Sequence, residues 1–82
     1  ESVQPNPVRT TAVVTLQLAD AGTADITVVD MQGKTVATLY SGSLPQGIST
    51  VDLSAAPLAS GTYTVVATVN GQTVTTTISI VK

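Results

Sequence analysis

The chain has 82 residues, room for one hydrophobic core and no second, and 10% of them are charged against 43% hydrophobic. Three cations, Arg9, Lys34 and Lys82, against five acids leave a formal net charge of -2, so no basic stripe exists to neutralise a row of phosphates. Cysteine and histidine are both absent, which removes disulfides, thiol chemistry and the commonest acid–base and zinc-binding side chains.

Residues 1–7 are polar and contain Pro5-Asn6-Pro7, which reads as a linker and leading segment, with residues 8–82 forming the domain proper. A short strand around Ser2, Val3 and Gln4 adds a possible seventh to six clearer extended runs. Glu1 opens the chain without a methionine, and the whole reads as the C-terminal piece of a longer precursor. No apolar run approaches the roughly 18 residues that would span a bilayer.

The first run, residues 12–18, alternates with Val14, Leu16 and Leu18 on one face and Thr15 and Gln17 on the other. It stops at the turn signal Asp20-Ala21-Gly22. A second run over residues 25–30 turns Ile26 and Val28 inward and meets Met31-Gln32-Gly33-Lys34, where Gly33 can supply the positive φ of a tight hairpin. In the third run, residues 35–40, Val36 and Leu39 lie three apart, so strict alternation cannot bury both and a β-bulge is expected. Residues 41–47, with Gly42, Pro45 and Gly47, read as a loop. Val51 and Leu53 then mark a short fourth strand.

The fifth run places Tyr63, Val65, Ala67 and Val69 on one face, and Asn70-Gly71 follows as the strongest short hairpin signal in the chain. The sixth run, residues 73–81, turns Val74, Ile78 and Ile80 inward and a ladder of Thr73, Thr75, Thr77 and Ser79 outward. Short strands divided by regular turn chemistry, with no helical period, predict an all-β fold: an immunoglobulin-like antiparallel β-sandwich of six to seven strands.

Chemistry-bearing constellations are missing from this pattern. Glu1, Asp20, Asp25, Asp30 and Asp52 are scattered singly near strand ends, where Asp closes turns with its own side chain. No D-x-D-x-D run offers converging oxygens to Ca²⁺, and Gln32-Gly33-Lys34 lacks the glycine-rich lead and following helix of a phosphate loop. Ser60-Gly61 is an incomplete G-x-S-x-G in an all-β setting and reads as a turn. Tyr63, opening the fifth strand, has the position of a tyrosine corner, its hydroxyl bonding nearby backbone. The sequence therefore predicts no enzyme, no catalytic residue, no metal and no cofactor.

Several stretches taken together carry a resemblance. Pro5-Asn6-Pro7 comes first, then Asp30-Met31-Gln32-Gly33-Lys34-Thr35-Val36, then Leu58-Ala59-Ser60-Gly61-Thr62-Tyr63, and last Ile80-Val81-Lys82. In this order and spacing the chain resembles, over essentially its whole length, the C-terminal sorting domain of the type IX (Por) secretion system of Bacteroidetes and relatives. Val29 stands where family members usually carry an aromatic residue.

The resemblance implies an Ig-like domain that acts as an address on an N-terminally fused cargo. It implies passage of the precursor through the periplasm and across the outer membrane by the translocon, with a shuttle protein and a surface sortase as partners. The cut would fall before or near Glu1, leaving cargo anchored at the cell surface or released. It also implies a signal-recognition set of Pro5, Asn6, Pro7, Asp30, Gly33, Lys34, Leu58, Gly61, Tyr63, Ile80, Val81 and Lys82. The last strand, if it lies at a sheet edge, offers a ladder that a partner strand or a second copy could extend into a homodimer. The other reading is a passive fibronectin-like or Ig-like structural or adhesive module of a larger surface protein or glycosidase, since one sandwich serves many roles.

Overall fold

The structure, a computed structural model, describes residues 2–4, 8–56 and 58–81. It contains seven strands in the order β1 (Ser2–Gln4), β2 (Thr11–Leu18), β3 (Gly22–Val29), β4 (Thr35–Leu44), β5 (Gly47–Ser54), β6 (Gly61–Val69) and β7 (Gln72–Ile80). They form a three-stranded sheet ordered β1-β2-β5 and a four-stranded sheet ordered β4-β3-β6-β7, with every ladder antiparallel. The two sheets stack as the expected sandwich, because each strand is apolar on alternate residues and has one face to bury.

β2 shows this most plainly: Ala12, Val14, Leu16 and Leu18 are buried while Val13 and Gln17 face solvent. From the other sheet, Ala24, Ile26 and Val28 of β3, Val65 and Ala67 of β6, and Ile78 and Ile80 of β7 are buried. All buried residues among those described are apolar, and none is aromatic. The fully buried core is valine, isoleucine, leucine and alanine, with Tyr40 and Tyr63 packed half-buried against it, which suits the limited depth a domain of this length can enclose.

The irregular third run resolves as the bulge argument requires. Pairing of β3 with β4 steps from Ile26↔Tyr40 to Thr27↔Thr38, and from Val28↔Ala37 to Val29↔Thr35. Leu39 and Val36 are thus the extra residues of two irregularities on β4, and both pack against the core half-buried.

Two expectations need correction. Residues 41–47 are not a loop: β4 continues to Leu44 and β5 begins at Gly47, leaving only Pro45 and Gln46 to carry the chain from one sheet to the other. Pairing with β3 through Asp25↔Ser41, Ala24↔Gly42 and Thr23↔Ser43 overrides the weak strand propensity of that stretch, and the Ser41 hydroxyl donates to Asp25 Oδ1 at 2.8 Å.

Val74 is not inward in the sense of being buried; it is 41% exposed. Its strand is an edge, and the facing sheet is not closed over it. The space beside it is an open groove of about 360 Å³ lined by Leu16, Leu18, Ala67, Val69 and Val74 among others. Alternation gave the right face, but no strand covers that face there.

A feature with no periodic signature closes the same side of the sandwich further along. Val3 of β1 pairs with Val14 of β2, whereas Val8 forms an isolated parallel bridge with Ile80 of β7. The Val8 amide donates to the Ser79 carbonyl at 2.7 Å and its carbonyl accepts from the Val81 amide at 2.9 Å. Val3 thus belongs to one sheet and Val8 to the edge of the other, and Val8 is fully buried.

Candidate functional site: one pole of the sandwich

The described motif stretches, residues 30–36, 58–63 and 80–81, meet at one end of the molecule. Val29 ends β3 opposite Thr64 of β6, so the turn after it lies beside the start of β6. Gly61 opens β6 opposite Ile80, which closes β7. Val8, bridged to Ile80, brings the chain following the Pro-Asn-Pro stretch to the same end. The Asn70-Gly71 hairpin, with φ of 51° and 82° at its two residues, marks the opposite pole.

Asp30 organises the first turn of this site. Its Oδ1 accepts from the amides of Gln32 and Lys34, each at 2.9 Å, and its own amide donates to the Lys34 carbonyl at 2.9 Å. The Gly33 amide donates to the Asp30 carbonyl at 3.0 Å, and Gly33 itself sits at φ 85°, where a Cβ would strain the backbone. The aspartate, three positions before the glycine, thus fixes a loop whose tip is Met31. Met31 is 82% exposed, and Lys34 is exposed beside it.

The second turn is held differently. Leu58 is buried at 5% exposure and its amide donates to the Ala55 carbonyl at 3.0 Å, so this motif leucine is a core anchor and not a contact surface. The Tyr63 hydroxyl donates to the Ala59 carbonyl at 2.7 Å. That bond, from the start of β6 back to the preceding turn, is the tyrosine corner that the sequence position predicted. Between the two turns lies a shallow depression of about 310 Å³ lined by Asp30, Met31, Gln32, Gly61, Thr62 and Tyr63.

Of the predicted set, Asp30, Gly61 and Tyr63 share this depression, with Gly33 and Lys34 in the turn that forms its rim. Ile80 is buried directly opposite Gly61, and Val81 follows it, 41% exposed and tied to Val8. Pro5, Asn6, Pro7 and Lys82 lie outside the described residues. Sequence reasoning missed Met31 as an exposed apolar tip, Arg9 as a neighbour of the bridging Val8, and the bridge itself.

Acid chemistry finds little purchase here. Asp30 spends an oxygen on two turn amides, and Asp25, which lies within β3 and not in a turn, accepts from Ser41. Among the described residues no group of three or more His, Cys, Asp or Glu is placed to hold a metal ion. The chain is thus a small β-sandwich module whose described motif residues gather at one pole.

Comparison with protein-family models gives that module its family. The model described as "Secretion system C-terminal sorting domain" matches residues 2–82, and the chain belongs to that family. No curated protein and no solved structure matches the chain significantly. The family is one of sorting signals and not of enzymes, and membership implies a secreted protein bound for the cell surface or the extracellular space.

Proposed function

We propose that this domain is the C-terminal address that takes a cargo, fused to its N-terminus, from the periplasm across the outer membrane through the type IX translocon. A surface sortase then separates the cargo from the domain. The observation that carries this reading is the convergence of the motif turns around Asp30, Gly33, Gly61 and Tyr63 with Ile80 and Val81 at one pole. An address must be readable on a folded surface, and residues scattered through the sequence become one surface only there.

Extension of the last strand by a partner strand is narrower than the sequence suggests. The outer edge of β7 is already met at Ser79 and Val81 by Val8 of the same chain. The pole, and not the whole β7 ladder, is therefore the better candidate for recognition.

The test fuses residues 1–82 behind a signal peptide and a reporter in a bacterium with a working type IX system. Reporter outside the cell, with a new C-terminus near the junction by mass spectrometry, supports the reading. Reporter retained in the periplasm refutes export, and exported reporter that keeps the intact domain refutes cleavage.

A further inference from the structure

Asn70 is held more closely than a turn residue needs to be. It takes φ 51° in the hairpin between β6 and β7, its amide donates to the Thr23 carbonyl at 3.1 Å, and its carboxamide lies against Gly22 at the start of β3. A Cβ on Gly22 would stand 1.7 Å from Asn70 Oδ1 and 2.4 Å from its Cγ, so the side chain fills the space that the glycine leaves. Gly22 is not among the glycines of positive φ. Its missing side chain serves this seat and not an unusual backbone.

The residue after Asn70 is Gly71, and the pair carries a chemistry of its own. With no Cβ on Gly71, its nitrogen is unhindered in attack on the neighbouring carboxamide. In that reaction the Gly71 nitrogen bonds to Asn70 Cγ and gives up its proton, Nδ2 leaves as ammonia, and a cyclic imide forms. Solvent water then opens either imide carbonyl, leaving aspartate or isoaspartate at this position. No oxidant or reductant enters. The other asparagine of the sequence, Asn6, precedes Pro7, whose nitrogen carries no hydrogen and cannot close the ring.

We propose that Asn70-Gly71 is a deamidation site gated by the seat on Gly22. Ring closure requires Cγ to swing onto the Gly71 nitrogen, and the docked turn holds the carboxamide against Gly22 instead. Opening of the hairpin releases it. Asn70 and Asp20 line the same groove, so conversion sets a second carboxylate there, and isoaspartate adds a methylene to the main chain of a two-residue turn. Conversion is irreversible, and its product marks domains whose hairpin has stood open.

The test incubates the purified 82-residue chain in mildly alkaline buffer in three forms: the folded parent, the parent unfolded in guanidinium chloride, and Gly22→Ala. In Gly22→Ala the new methyl meets only the movable end of the Asn70 side chain, which it displaces. Intact mass and labelling by an isoaspartyl methyltransferase read the conversion, and circular dichroism verifies that Gly22→Ala is folded.

The folded parent is expected to convert at least about tenfold more slowly than the unfolded chain, the effect of a local opening equilibrium, and Gly22→Ala at least about threefold faster than the folded parent. Equal rates for folded and unfolded parent, or no conversion in either, overturn the proposal. A folded Gly22→Ala that converts at the parental rate overturns Gly22 as the gate. The comparison of folded with unfolded parent decides the proposal even where the variant fails to fold.

Discussion

Replacing Asp30 by alanine removes the one side-chain oxygen that accepts from both Gln32 and Lys34 at 2.9 Å. The two main-chain bonds of the turn, Asp30 to Lys34 and Gly33 to Asp30, remain, so the hairpin persists but is looser. The nearest measured analogy is a helix N-cap aspartate, whose loss costs about 1 kcal/mol within a range of roughly 0.5–2. Two donors on an exposed turn place Asp30→Ala at about 1–2 kcal/mol. For a domain of this length that is a fall in Tm of about 5–12 °C, out of a total stability of about 4–12 kcal/mol. Asp30→Asn keeps the acceptor and should lose less than about half as much. The assay is paired thermal and urea unfolding followed by far-UV circular dichroism. Asp30→Ala melting within about 2 °C of the parent, or Asp30→Asn falling as far as Asp30→Ala, would refute the argument from turn geometry.

Other outcomes follow from the fold. Val74→Thr should change stability by less than about 0.5 kcal/mol because Val74 lies against an open groove, whereas Ile78→Thr, at a position 1% exposed, should cost about 2–4 kcal/mol in urea unfolding. Gly71→Ala places a Cβ on a residue at φ 82° and should cost about 1 kcal/mol, read as a shift in the urea midpoint without a change in slope. Val8→Asp puts a carboxylate at a fully buried site bridged to the end of β7; the expected result is loss of cooperative unfolding altogether.

Much of the sandwich was legible because alternation is a local property. Val14, Leu16 and Leu18, or Ile26 and Val28, announce their buried face from neighbours two residues away, and the broken spacing of Val36 and Leu39 announces bulges. Asn70-Gly71 announces its turn because few other pairs accept two positive φ angles.

What stayed hidden depends on partners distant in sequence. Residues 41–44 become strand only because β3 offers them a ladder and Asp25 a hydrogen bond. Val74 points to the right side, yet burial needs a covering strand, and the neighbouring sheet provides none there. Val8 is a single bridging residue, too short for any period. The candidate site was legible as separate motifs but not as a place. Only the pairing of Gly61 with Ile80, and of Val29 with Thr64, puts the turns at one pole and lifts Met31 into view between them.

The measurement that bears most directly on the sorting account compares one reporter fused to residues 1–82 in two strains that differ only in the type IX translocon. The account predicts reporter outside the cell in the competent strain and retention in the periplasm of the strain lacking the translocon. Equal distribution of the reporter in the two strains would contradict it.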